Sequence, residues 1–192
     1  MSTLLNIIKT DLIQSKILKN NAELSIFKLF YLFLRSKTCR MHLFVRLRSS
    51  NIFLAYIAKK YLDRYLIEIG RNTKIGSNFF MPHPRCIIIA DDVVIGNYVH
   101  VAQYVTIGGN FRKTKSLNDG NIQKLPIIGD RVMVNPGAVI GGPVTIGDDV
   151  IIGANSTITK DVLSNSIAYA QNKLASKKIK ISEDCGTFDI LD

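Results

Sequence analysis

A six-residue period runs through the chain from residue 69 onward. Ile128, Val134, Ile140, Ile146, Ile152 and Ile158 stand at unbroken intervals of six, four of them followed by Gly. Four residues after each come Val132, Ala138, Val144, Val150, Ser156 and Val162, all small or β-branched. Ile89, Ile95, Val101 and Ile107 hold the same phase upstream, and Ile69, Ile75 and Met81 form a further run displaced by two. A six-residue unit cannot bury its apolar face alone and must stack on copies of itself, so the repeat fixes the architecture more firmly than local propensity does. Each unit supplies one flat side of a triangular coil, with its first residue pointing inward and its small residue near the corner. Pairs such as Gly96-Asn97, Gly129-Asp130 and Gly147-Asp148 suit corners that need positive φ. A β-sandwich would alternate at period two instead. The pattern predicts a mainly β chain, a parallel β-helix of hexapeptide repeats.

The repeat also divides the chain. Residues 67–165 form the β-helix. Within them the phase is lost over 109–126 (GNFRKTKSLNDGNIQKLP), a polar, basic stretch that must leave the column as a loop, and long excursions from a rigid scaffold are usually functional. Residues 166–192 read as a tail. Residues 1–66 contain no Pro or Gly and repeat apolar residues at three- and four-residue intervals through Leu24, Phe27, Leu29, Phe30 and Phe33, which predicts α-helices, with a cap at Asn20-Asn21.

Twelve Lys/Arg against Asp11, Glu23 and Asp63 give this helical segment +9 of the chain's net +10. Such a field attracts any polyanion, so charge alone names no partner. Its most apolar run, Leu29 to Leu34, is far shorter than the roughly 20 residues a spanning helix needs. Peripheral membrane contact through Phe30, Phe33, Phe44, Phe53 and nearby basic residues is one reading, and core-facing packing on the β-helix is the other. No nucleic-acid partner is expected. Cys39, Cys86 and Cys185 have neither paired nor metal-like spacing, and Asp11 and Lys9 interrupt the first apolar stretch, which does not suit a signal peptide. A cytoplasmic protein, at the inner face of the membrane if it docks there, is the expectation.

Three histidines are present. His42 lies in the helical segment and His100 inside a repeat. His83 interrupts a coil in MPHPRC, between Pro82 and Pro84, where the repeat slips by two. A histidine at a defect in a regular scaffold is a candidate general base, because it titrates near neutral pH without help. A zinc site would need three convergent imidazoles, so no metal is expected.

The run from Glu68 through Lys74-Ile75-Gly76, His83, Ile87-Ile88-Ile89 and Val105-Thr106-Ile107-Gly108-Gly109 resembles the serine acetyltransferase family and its relatives that O-acetylate surface polysaccharides, including colanic acid acetyltransferases. The likeness covers about residues 65–175. It implies a left-handed parallel β-helix, acetyl-CoA as co-substrate with no permanently bound cofactor, and His83 as the base, oriented by Glu68 fifteen positions earlier. It also implies a homotrimer whose inter-chain grooves hold CoA. Positions matching the family's CoA contacts are Gly108, Gly109, Pro136 and Ala154, with Lys160 and Lys173 as candidates for the phosphates. Pro136 departs from the family, for it has no N–H to donate to the pantetheine.

Serine acetyltransferases carry a second active-site histidine in a His-Pro pair at the end of the loop, and an aspartate just before the first. Here those places are Leu125-Pro126 and Pro82. The helical segment is also about half the family's size. Together with the basic loop, these departures favour a larger, anionic glycan acceptor, bound by Arg85, Arg112, Lys113 and Lys124, and hence a polysaccharide O-acetyltransferase. Serine or another small molecule is the alternative acceptor, and a non-catalytic scaffold is the reading outside enzymology.

Overall fold

The computed structural model describes residues 2–19, 24–110, 113–117, 120, 122–169, 179–181 and 188–190, and of 2–3, 179–181 and 188–190 the backbone alone. Four helices come first: α1 (Ser2–Gln14), α2 (Ile26–Arg35), α3 (Lys37–Leu47) and α4 (Ile52–Asp63). The last three start at caps: the side chains of Ser25, Ser36 and Asn51 accept from the N–H groups of Lys28, Cys39 and Leu54.

The strands that follow are short because each is one side of a coil. β1 (Ile67–Ile69), β2 (Lys74–Ile75), β3 (Ile87–Ile89), β4 (Val94–Ile95), β5 (His100–Val101) and β6 (Thr106–Gly108) precede the excursion. The excursion holds an antiparallel hairpin of β7 (Lys115–Ser116) and β8 (Ile122–Gln123). After it come β9 (Ile127–Ile128), β10 (Met133–Val134), β11 (Val139–Gly141), β12 (Thr145–Ile146), β13 (Ile151–Ile152), β14 (Thr157–Ile158) and β15 (Ile167–Ala168). They build three parallel sheets: β1-β3-β6-β11-β14 on the first face, β2-β4-β9-β12 on the second, β5-β10-β13-β15 on the third. The fold is the parallel β-helix that the repeat predicts, left-handed as the family resemblance implies. The last coil continues through β15, beyond residue 165, and β16 (Ile179–Ile181) with β17 (Phe188–Ile190) forms a separate antiparallel pair.

The inward residues are those the period marks. Ile89, Ile107 and Ile140 from the first face, Ile95, Ile128 and Ile146 from the second, and Val101, Val134 and Ile152 from the third are all buried in one cluster. The small +4 residues Val132, Ala138, Val144, Val150 and Ser156 are buried with them. The corners differ from expectation in one respect. Positive φ falls at Tyr98, Arg131 and Asp149, one residue past the Gly-Asx pairs, and at Asp92, Tyr104 and Asn155 on corners that carry no such pair. Gly96 and Gly129 serve close approach instead: a Cβ on Gly96 would lie 2.6 Å from the Gly129 carbonyl carbon, and one on Gly129 2.9 Å from that of Gly147.

Asn97, Asp130 and Asp148 form a ladder along the edge between the second and third faces. Asn97 N–H donates to Asp130 Oδ1 (2.7 Å), Asp130 N–H to Asp148 Oδ1 (2.8 Å), and Asp148 N–H to Ser164 Oγ (2.9 Å). Side-chain acceptors thus satisfy amides that the turning backbone cannot pair.

The helices close the first coil. Its outward carbonyls would be an open edge, and two buried arginines of the helical segment cover them. Arg46 donates to Ile75 O (2.7 Å) and Gly76 O (2.6 Å), and Arg48 to Gly70 O (3.0 Å) and Thr73 O. Asp11 of α1 accepts from Arg46 Nε (2.8 Å) and Nη2 (2.9 Å) and from the Phe79 N–H (3.0 Å), so α1, α3 and the first coil share one buried network. Met41, Phe44, Val45, Ala58 and Leu62 join the β-helix core, while Ile8, Leu12, Leu18, Leu24 and Cys39 form a second cluster within the helices. Phe44 is therefore buried and Phe33 half-buried against that core, which removes both from the expected membrane-contact set.

Candidate active site

His83 stands at the edge between the third and first faces, on the corner that leads into β3. Partners Ile67 and Ile87 are twenty residues apart, whereas Ile89 and Ile107 are eighteen apart. The two extra residues fall in the Met81–Cys86 corner, where Pro82 and Pro84 restrict the backbone and Cys86 takes positive φ. His83 is pushed into solvent and makes no hydrogen bond to the described residues. It lines a recess of about 430 Å³ together with Pro82, Arg85, Gln103, Lys37 and Thr38. That volume suits a small-molecule site.

The same edge carries two further predicted positions. Tyr104 N–H donates to Arg85 O (3.2 Å), Gly137 N–H to Gln103 O (3.1 Å), and Asn155 N–H to Pro136 O (2.9 Å). These bonds stack the corners one above another, so Arg85, Gln103, Pro136 and exposed Ala154 follow His83 up one ridge. Gly108, Gly109, Lys113, Lys124 and Lys160 lie elsewhere, at the edge between the first and second faces where the excursion leaves the column. Gly109 is exposed there, with Leu125 packed 3.4 Å from where a Cβ would be. Within one chain the width of the first face separates the two groups. Arg112 and Lys173 lie outside the described residues.

Glu68 is not joined to His83. It occupies the middle of β1, in register with Ile88, and faces outward beside Asp63 and Leu66 of the α4 end. No hydrogen bond links it to the imidazole, because the fifteen-residue interval places the acid on a flat face and the base at a corner. The carboxylate instead borders a recess of about 350 Å³ between α4 and β1, with Arg48, Tyr56 and Arg71.

The excursion is held at its base. Gln123, buried, donates from Nε2 to Leu125 O (3.0 Å) and Val144 O (2.9 Å). Lys115 pairs with Asp161 of a later coil at 2.5 Å, which lowers the Asp161 carboxyl below its ordinary value, so this lysine is not free to recruit an acceptor.

The other histidines are unsuited to proton transfer on a substrate. His100 Nε2 lies 2.7 Å from Gln14 Nε2, its ring meets Phe80 edge-on, and burial lowers its pKa. His42 is fully buried, stacked near Phe80, with neither ring nitrogen hydrogen-bonded; burial, then the Arg46 charge, push it down to about 4. No three His, Cys, Asp or Glu among the described residues converge on a metal position. Sequence reasoning missed Lys37, Thr38 and Gln103 in the recess. Gln103 lies twenty residues, one long coil, after His83, and its buried Oε1 has no partner.

The family model "Bacterial transferase hexapeptide (six repeats)" matches residues 126–160. A serine acetyltransferase of Staphylococcus aureus (strain COL) is 32% identical over 97 residues, which is 50% of this chain and 42% of that one. Serine acetyltransferase 5 of Arabidopsis thaliana is 33% identical over 78 residues, 41% of this chain and 23% of that one. The chain thus spans less than half the length of these relatives. Among solved structures, Entamoeba histolytica serine acetyltransferase isoform 3 in complex with cysteine matches 95% of this chain and 62% of its own at TM-score 0.69 and 25% identity. The Neisseria gonorrhoeae serine acetyltransferase in complex with serine matches 90% and 68% at TM-score 0.67 and 20% identity, a likeness of fold.

These matches overturn the expected polysaccharide acceptor. The matched proteins are serine acetyltransferases, despite the departures at Pro82 and Leu125-Pro126. Residues 126–160 thus carry the hexapeptide-repeat transferase pattern, and the fold is the one seen in the matched serine acetyltransferases.

Proposed function

We propose that this protein is an acetyl-CoA-dependent O-acetyltransferase acting on serine or a similarly small hydroxylic acceptor. The observation that carries the reading is the exposed, unbonded imidazole of His83, set at a corner widened by two residues in a fold shared with serine acetyltransferases. A neutral hydroxyl is a poor nucleophile. His83 takes its proton as the oxygen attacks the thioester carbonyl, and returns that proton to the CoA sulfur when the C–S bond breaks. Lys37 and Arg85 offer positive charge to a carboxylate in the same recess. A backbone N–H near Gly108-Gly109 would stabilise the developing oxyanion, a contribution of roughly 3 kcal/mol in comparable sites.

That donor must come from a neighbouring copy, since Gly109 and His83 sit on different edges of one prism. A cyclic homotrimer would set the first-to-second edge of one chain against the third-to-first edge of the next, with acetyl-CoA between them. Glu68, on the outward side of the first face, would act only within such an assembly. The test is release of free thiol from acetyl-CoA with and without serine. Serine-dependent release that falls at least about a hundredfold in His83→Ala, with the thermal protection by acetyl-CoA retained, supports the proposal. Serine-independent release, or release unchanged in His83→Ala, refutes it.

A further inference from the structure

The helical layer exposes apolar side chains that the β-helix does not use. In α2, Ile26, Phe27, Phe30, Tyr31 and Leu34 are 57–84% exposed, and no residue of this helix is buried. Their spacing of i, i+1, i+4, i+5 and i+8 places them on one side, opposite Leu29, Leu32 and Phe33, which pack against the two cores. Helix α4 repeats the arrangement with Ile52 (78%), Phe53 (68%) and Tyr56 (60%). Both helices pack on α3 and are tied through it by the ring contacts of Phe44 with Phe33 (6.0 Å) and Tyr61 (4.2 Å). Each stripe ends in a cation over an exposed tyrosine: Arg35 lies 5.9 Å from the Tyr31 ring centre and Lys60 5.7 Å from that of Tyr56.

Charge selects the occupant. Between Leu24 and Leu62 the sequence has eight Lys/Arg and no Asp or Glu. A symmetric contact with a second copy would press these cations against their own equivalents, with only Asp63 and Glu68, on the β1 side of α4, to offset them. A bilayer of anionic lipid meets both demands, taking the aromatic and aliphatic stripe at the headgroup boundary and the basic flanks at the phosphates. We infer that the α2 and α4 stripes form a docking surface for an anionic membrane. No helix of the described residues is long and apolar enough to cross one, so the contact is peripheral. The last residue of α2, Arg35, lies two positions before Lys37 of the His83 recess, so docking would hold that recess close to the lipid surface.

The test is co-sedimentation of the full chain with phosphatidylcholine vesicles, with and without phosphatidylglycerol, against the triple variant Phe27→Ser, Phe30→Ser, Phe53→Ser. The wild type should bind the anionic vesicles, less so in high salt, and the variant should bind at least about tenfold more weakly, with unchanged circular dichroism and sedimentation coefficient. Failure of the wild type to bind anionic vesicles, or equal binding by the variant, overturns the inference. So does a fall in the variant's assembly mass, which would make the stripe a contact between copies.

Discussion

Acid should weaken this fold through His42 in a way that one substitution removes. His42 is 1% exposed and packs on Phe80, with neither ring nitrogen hydrogen-bonded and the Arg46 guanidinium nearby. Its pKa is pushed from an ordinary 6.5 to about 4. Because the folded value lies below the unfolded one, the unfolded chain binds the proton more readily, and stability is lost as pH falls through the interval between them. A gap of about 2.5 pH units corresponds to roughly 3 kcal/mol in full, of which about 2 kcal/mol is lost between pH 7 and pH 5. His42→Leu fills much of the same space, cannot be protonated, and abolishes a neutral imidazole whose unmet donor and acceptor cost about 1–3 kcal/mol. The variant should therefore match or exceed the wild type at pH 7 and fall less at pH 5. Urea midpoints of both proteins at both pH values, at one protein concentration, give the double difference, in which the titration of all other groups cancels. If wild type and variant lose equal stability between pH 7 and pH 5, the buried neutral imidazole is wrong.

Three further outcomes follow from packing. Asp11→Ala strands the buried Arg46 cation and should cost about 3–5 kcal/mol; a loss below about 1 kcal/mol in urea unfolding would mean that the pair is solvated. Gly96→Ala sets a methyl against the Gly129 carbonyl and should cost about 1–3 kcal/mol in the same assay, while an unchanged midpoint would show that the corners can yield. Pro136→Ala restores an N–H on the proposed CoA ridge and should lower the acetyl-CoA KM without changing kcat; an unchanged KM would show that this corner does not meet the pantetheine.

The column of the β-helix was legible because a period of six, once seen, assigns the residues of each repeat outside the 109–126 excursion an inward or outward place, and burial of Ile89, Val101, Ile128, Val134 and Ile152 follows the phase. Corner dihedrals were less so. The sequence signals Gly-Asx for positive φ, yet the turn falls on Arg131 and Tyr98, whose strain the stack sustains, and the glycine answers a contact with the next coil that no local rule contains. The Asp11–Arg46 network joins residues 35 apart in sequence and was illegible for the same reason. His83 was found because a defect in a repeat is visible. Glu68, fifteen residues earlier, stands on a flat face while His83 stands at a corner, so no bond joins the two within one chain.

The period carries one more consequence for the site. Coil length modulo the two-residue insertion sorts candidates by edge: His83, Gln103, Pro136 and Ala154 fall on one, Gly109, Lys124 and Lys160 on the next, and Asn97, Asp130 and Asp148 on the third. The third edge is occupied by its own ladder of hydrogen bonds. The other two each hold half of what acyl transfer requires, a base on one and amides, lysines and an excursion on the other. A rigid prism cannot fold one edge onto another, because its faces are packed columns without a hinge. Under the proposed function the missing half would arrive from outside the chain, as the first-to-second edge of an identical neighbour set against the third-to-first edge that carries His83.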